Sequence, residues 1–188
     1  MDQINALIDQ LDLKQNIRLE DIPSIDLYMD QVIQLFEKTF EPSKRNETDK
    51  ILTKTMINNY AKGKLFFSVK NKKYSKEHII LISLIFQLKG ALSIGDIKLV
   101  LDGVNEKVVT EDFKLEPFYQ SYLNLIDRNT EFYKENLKDK AKDAKDELAK
   151  TEIDTDDYLQ KVLLIASLVN MSNIYRKAAE SLVDTLKD

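Results

Sequence analysis

Apolar residues recur at helical spacing along most of the chain, and the period changes only once. Residues 2–11 place Ile4, Leu7, Ile8 and Leu11 on one face of a short helix, expected as an arm or packing strap. Ser24 after Pro23 suits an N-cap, and Ile25, Tyr28, Val32, Leu35, Phe36 and Phe40 then recur at helical intervals until Pro42 stops the helix. The polar stretch PSKRNETDK reads as loop. Thr53 caps a second short helix through Lys62, with Gly63 placed as its left-handed terminator. The period then switches to two. Residues 65–74, LFFSVKNKKY, alternate and predict a two-stranded ribbon with a basic tip around Lys70-Asn71. Ser75 caps a third helix in which Ile79, Leu81, Ile82, Ile85 and Leu88 are nearly continuous, so it is expected at the buried centre. Ser93 caps a shorter helix carrying Ile94, Ile97, Val100 and Leu101.

From about residue 111 the pattern is one of long helices without Gly. Pro117 suits a first helical turn, and Phe118 to about Lys150 carries Tyr119, Tyr122, Ile126, Tyr133, Leu137, Ala141, Ala144 and Leu148 on one stripe. Its segment KENLKDKAKDAKDELAK reads as a solvated helix laced by i,i+4 ion pairs. The last helix starts near Asp156, and YLQKVLLIASLVNM is apolar almost all round, so other protein must cover it. Gln160, Lys161 and the short apolar length argue for a bundle or dimer helix over a membrane span.

Composition supports a mostly helical fold. The 188 residues are 43% hydrophobic and 32% charged, which excludes a disordered chain, while four Gly and three Pro leave too little turn chemistry for a many-stranded sandwich. With no Cys and one His, thiolate and paired-His metal sites are excluded, and no cofactor is expected. MDQINALIDQLDL lacks the basic start of a signal peptide, and a cytoplasmic protein without membrane contact is the expectation. The carboxylates Asp154, Asp156 and Asp157 sit at a helix start, where they favour the dipole, with no His, Cys or phosphate loop beside them. No enzyme is expected.

Charge is uneven. Residues 1–43 carry 3 basic and 9 acidic groups; residues 44–78 carry 10 basic and 3 acidic, a balance of +7 in a chain whose net charge is −4. Such an island fits a phosphate backbone. A helix beginning at Lys54 turns Ile57, Tyr60 and Ala61 inward and leaves Lys54, Thr55, Asn58 and Lys62 outward. Asn reads adenine edges, and Thr and Lys take a base edge or a phosphate. Lys70, Lys72 and Lys73 on the ribbon meet no acidic neighbour before Glu77, and His78 is expected at a surface or edge.

The runs MINNYAKGKL and KKYSKEHIILISLIFQLKGALSIGDIKLVL resemble the DNA-binding domain of MerR-type regulators, in which a tyrosine-rich recognition helix is followed by a wing and a two-helix motif. Tyr74, Ser75, Glu77, Leu81, Leu84, Ile85, Lys89, Leu92, Ser93, Ile94, Ile97 and Lys98 fit that pattern. Through the blocks IDLYMDQV, LTKTMINNY and KKYSKEHI the chain is more similar still to a YkrK-like bacterial family of unknown function. The resemblance covers roughly residues 20–103. Two features depart from the MerR pattern: Gly63-Lys64-Leu65 replaces a Gly-Leu pair, and the connection from Phe40 to Thr53 exceeds a three- or four-residue turn.

The fold expected is mostly α with three parts: from the periodicity, a helical arm at 1–19 and a long-helix bundle or coiled coil at 111–188 for dimerisation or regulation; from the resemblance, a winged helix-turn-helix domain at 20–110 with a small β-ribbon wing. The resemblance implies a transcriptional regulator that binds double-stranded DNA, and the nearly all-apolar face of Leu159 to Val169 predicts a homodimer through the C-terminal helices. The candidate contacts are Lys54, Thr55, Asn58, Asn59, Tyr60 and Lys62 on the helix, Lys70, Lys72 and Lys73 on the wing, and Lys44 and Arg45 in the loop before. No residue pattern supports a small-molecule effector. The alternative is an all-helical protein–protein interaction module without DNA binding.

Overall fold

A computed structural model describes residues 2–11, 13, 15–111, 113–151 and 156–187. The elements in chain order are α1 (Asp2–Gln10), β1 (Leu27–Tyr28), α2 (Met29–Phe40), α3 (Lys54–Lys62), β2 (Lys73–Tyr74), α4 (Lys76–Leu88), α5 (Ile94–Thr110), α6 (Leu115–Ala149) and α7 (Asp157–Asp184), with short 3-10 turns at Leu19–Asp21 and Glu41–Ser43. The protein is mostly helical with one small antiparallel sheet. Two compact units divide the chain: Gln15–Leu125 with Glu180–Asp188, and Met1–Lys14 with Ile126–Ala179.

In the unit built on Gln15–Leu125, α4 is the centre. Every residue from His78 to Ile85 is buried, as the unbroken apolar run predicts, and the one hydroxyl among them is satisfied by Ser83 Oγ donating to the Ile79 carbonyl at 2.9 Å. Phe36 and Phe40 of α2 pack on Phe86, with ring centroids 5.8 and 4.5 Å away. Ile57 and Tyr60 of α3, Ile97 and Leu101 of α5, and Leu115, Tyr119 and Leu123 of α6 complete the core. Ile17 joins it as well: the Tyr119 hydroxyl donates to its carbonyl at 2.8 Å, and burial pushes the Tyr119 phenol up to about 12. This unit therefore extends past the expected 20–110 span on both sides.

Several local expectations need correction. The helix expected from Ile25 begins at Met29. Leu27 and Tyr28 are strand instead, paired antiparallel in the register Leu27 with Tyr74 and Tyr28 with Lys73. Leu27 points in and Tyr28 out; Tyr28 takes the N-cap position expected for Ser24, and its own N–H is satisfied by Gln31 Oε1 at 2.9 Å. The ribbon accordingly borrows its second strand from β1. Leu65 and Phe66 are both buried, so they cannot alternate as strand residues. Its tip lies where expected: Lys73 N–H donates to the Lys70 carbonyl at 3.0 Å, and Asn71 and Lys72 have φ of 53° and 57°, a type I′ turn. Helix α5 has 17 residues against 13 for α4, so it is the longer of the two.

Gly63 is not the left-handed residue. Its φ is −71°, and Lys64 takes that role with φ 54°. Lys64 N–H bonds to the Ala61 carbonyl at 3.0 Å and Leu65 N–H to the Tyr60 carbonyl at 3.0 Å, the paired bonds of a Schellman motif closed by the buried Leu65 and Tyr60.

His78 is likewise not a surface residue, being only 3% exposed. Its Nδ1 accepts from the Ser75 N–H at 3.1 Å, so it plays the part of Glu or Gln in a capping box, and its Nε2 pairs with the Phe67 carbonyl at 3.2 Å. Burial pushes the imidazole pKa down, against the opposing influence of the Phe67 carbonyl and of the Glu77 and Asp26 charges. Below about pH 6.5 the unfolded chain thus binds a proton that the folded chain resists, and stability falls as pH falls through that window. The difference in urea stability between the wild type and His78→Gln should shrink between pH 7 and 5, with a slope no steeper than about 1.4 kcal/mol per pH unit, the limit for one proton. A pH-independent difference would mean that the fold leaves the imidazole pKa unshifted, and a difference that grows toward pH 5 would mean that the fold favours the protonated ring.

In the second unit α6 carries the expected stripe: Leu137 and Ala144 are buried, and Tyr133, Ala141 and Leu148 half-buried. Its outer ion pairs, Lys134–Glu131 at 3.2 Å and Lys140–Asp143 at 2.9 Å, use a spacing of three where four was expected. Asp156 caps α7, its Oδ1 accepting from the Leu159 N–H at 2.8 Å, and Asp157 pairs with Lys161 at 2.5 Å. Asp154 lies outside the described residues. The apolar surround of α7 stays open to solvent, with Ile165 60% exposed. Among the described residues no helix is long and apolar enough to cross a membrane.

Candidate nucleic-acid interface

Helix α3 is short because Thr53 starts it and the Schellman motif ends it; Thr53 Oγ1 accepts from the Met56 N–H at 3.1 Å. It rests on Ile57 and Tyr60, leaving Lys54, Thr55, Asn58, Asn59 and Lys62 exposed in one arc. One assignment changes, since Ala61 is exposed rather than inward. Tyr60 faces inward as the spacing predicts and is 4% exposed, so its ring belongs to the core and it drops out of the candidate contacts. Burial also raises the Tyr60 phenol above its ordinary value.

The type I′ turn puts Lys70, Asn71, Lys72 and Lys73 together at the tip of the ribbon, all exposed. Tyr28, from the paired strand, is 54% exposed, and Lys73 Nζ lies 5.4 Å from its ring centroid. Sequence reasoning assigned Tyr28 to a buried helix face, because a two-residue strand is too short to show a period.

Between α3 and the ribbon lies a cleft of about 830 Å³. Lys54, Ala61, Lys64 and Lys72 contribute to its lining, over a floor that includes Phe66, Phe67 and Tyr74. The structure thus brings Lys54 and Lys72 to one cleft. Asn58, Asn59, Lys62, Lys70 and Lys73 are exposed but do not line it.

Tertiary ion pairs reduce the basic island. Lys54 pairs with Asp30 at 2.7 Å, Lys76 with Glu116 at 3.4 Å, and Lys44 with Glu37 at 2.8 Å. The Lys44 bond holds the Glu37 carboxyl below its usual range, helped by the Ile51 and Leu52 backbone, while Glu37 raises Lys44 in turn. Lys44 is therefore a structural tie for the 44–52 loop and not an open cation; its neighbour Arg45 is exposed. Among the described residues, Lys62, Lys64, Lys70, Lys72 and Lys73 have no carboxylate partner. No three His, Cys, Asp or Glu side chains converge as metal ligands among the described residues.

The architecture is that of a small helical domain with a two-stranded ribbon and a basic, aromatic-floored cleft, continued by long helices. The model of a family described as a domain of unknown function, DUF1836, matches residues 17–122, more than half of the chain, and the chain belongs to that family. No curated protein and no solved structure matches it.

Proposed function

We propose that this protein is a DNA-binding transcriptional regulator with a MerR-like winged helix-turn-helix, in which α3 enters the major groove and the ribbon tip grips phosphate. The observation that carries the reading is the exposed lysine cluster at the type I′ tip, Lys70, Lys72 and Lys73, beside an exposed helix face of Lys54, Thr55, Asn58, Asn59 and Lys62. The order of elements supports it: a strand, two helices, the second strand of the ribbon, then two more helices, each of the last two with a serine at its N-cap position. Asn58 suits base-edge reading and the ribbon lysines suit backbone contact. Lys54 contributes less to phosphate binding, since Asp30 already neutralises it.

In the same proposal the DNA-binding form is a homodimer. Tyr158, Val162, Ile165 and Val169 of α7 follow one another at intervals of four, three and four residues, the spacing of a coiled-coil seam, and all are exposed. A second copy of the chain is the partner that such a stripe fits, because a two-fold contact is self-complementary and matches paired DNA half-sites. The test is binding of the full chain to duplex DNA at several salt concentrations. The competing interaction-module reading requires no such binding.

A further inference from the structure

The cleft between α3 and the ribbon has a composition that phosphate contact alone does not explain. Its floor of Phe66, Phe67 and Tyr74, continued by Val69, is apolar and aromatic, whereas a backbone phosphate needs only cations and N–H donors. Its volume, about 830 Å³, falls among those of small-ligand pockets. The described backbone has three non-glycine residues at positive φ, and two of them, Lys64 and Lys72, line this cleft. Both occupy positions where glycine is the least strained choice: the left-handed residue that ends α3, and the second central residue of a type I′ turn. Strained backbone of this kind collects at ligand clamps. Of the charges on the rim, Lys54 and Asp30 cancel at 2.7 Å, which leaves Lys64 and Lys72 as the uncompensated pair.

From this juxtaposition of an apolar floor and two lysines held in left-handed conformations, we propose that the cleft is a binding site for a small planar aromatic anion, its ring on the half-buried Phe67 and Val69 and its carboxylate or phosphate between Lys64 and Lys72. Phe67 and Val69 supply apolar area, Phe67 adds ring contact, and the exposed ammonium groups supply charge-assisted hydrogen bonds at the rim. The site does not depend on the DNA reading. Lys72 belongs to both surfaces, so at that residue a bound anion and a gripped phosphate exclude one another.

The test is an amide chemical-shift titration of the full chain with 2-naphthoate, with the neutral 2-naphthamide and with inorganic phosphate. Naphthoate should give saturable shifts centred on residues 64–74, and naphthamide should bind at least fivefold more weakly. Phosphate should also bind at least fivefold more weakly, lacking the ring. The double variant Lys64→Gly, Lys72→Gly should lose at least tenfold in naphthoate affinity while its thermal midpoint stays at or above that of the wild type, because glycine relieves both backbone positions. Lys72→Gln, which keeps a side chain at the turn, should lose at least threefold. Unchanged naphthoate affinity in these variants would overturn the proposal, as would equal affinity for naphthamide. Shifts centred instead on the apolar groove lined by Phe132, Tyr133, Leu168 and Tyr175, or no saturation at all, would overturn it too.

Discussion

Raising the salt from about 50 to 200 mM should weaken binding to duplex DNA by about two orders of magnitude for one protomer and by about four for a dimer. Each neutralised phosphate contributes about 0.9 to the slope of log affinity against log salt. Lys62, Lys70, Lys72 and Lys73 are exposed, and none has a carboxylate partner among the described residues. Four neutralised phosphates give a slope of about 3.6 and a loss of about 150-fold over that range; eight give about 2 × 10⁴-fold. Lys44, Lys54 and Lys76 add little, because a phosphate must first displace Glu37, Asp30 or Glu116. Anisotropy titrations at four or five salt concentrations read the slope directly. A slope near zero would leave the basic island without a nucleic-acid role.

The purified chain should sediment as a dimer at micromolar concentration, and Ile165→Asp with Val169→Asp should make it a monomer. Burying a side chain of this size contributes about 1.5–3 kcal/mol. The four seam residues are only about half exposed in one chain, so from both copies they contribute about 7–14 kcal/mol, which offsets an association cost of about 4–15 kcal/mol. The rest of the roughly 8 kcal/mol that a micromolar dimer needs falls to other exposed apolar residues of α7, Ile174 and Tyr175 among them. Two carboxylates from each copy on the seam reverse the balance by desolvation and like-charge repulsion. Both substitutions are at exposed positions, so the fold of one chain should survive them. The monomeric variant should also show half the salt slope on DNA. A wild type that remains monomeric from low to high micromolar concentration would remove the two-fold arrangement.

Much of the domain was legible because its signals are local. The Thr53 cap and the stretch to Lys62 mark α3, and the nearly continuous apolar run from Ile79 to Ile85, broken only by Ser83, marks the central helix, since a helix with almost no polar face has to be surrounded. Lys70-Asn71 marks the turn, because Asn tolerates the left-handed conformation that a type I′ turn requires. What was not legible depends on residues distant in sequence. Strand β1 exists only because Lys73 and Tyr74 come to pair with it, so Leu27 and Tyr28 alone look like the start of a helix. Asp30, Glu37 and Glu116 neutralise part of the basic island from other elements, which a segmental charge count cannot register. His78 hides its imidazole under Phe67, with ring centroids 4.0 Å apart, a tertiary contact that its position in a first helical turn does not reveal. The left-handed residue moved from Gly63 to Lys64 because the last hydrogen bonds of α3 and the burial of Leu65 set where the chain turns, outweighing the preference for glycine.

The measurement that bears most directly on the central claim is a paired titration of Asn58→Ala and of Lys72→Ala with Lys73→Ala. Each is tested on the duplex that the wild type selects from a random pool and on a scrambled duplex. Asn58 lies in the exposed arc of α3, and in the proposed binding mode its short amide reaches base edges, whereas Lys72 and Lys73 lie exposed at the ribbon tip, which that mode sets against phosphate. Asn58→Ala should therefore cost about 1–3 kcal/mol on the selected duplex and little on the scrambled one. The lysine pair should weaken both duplexes alike and lower the salt slope by about one for each phosphate that is no longer neutralised. Equal losses on both duplexes for Asn58→Ala, or a wild type that selects no sequence from the pool, would contradict the account.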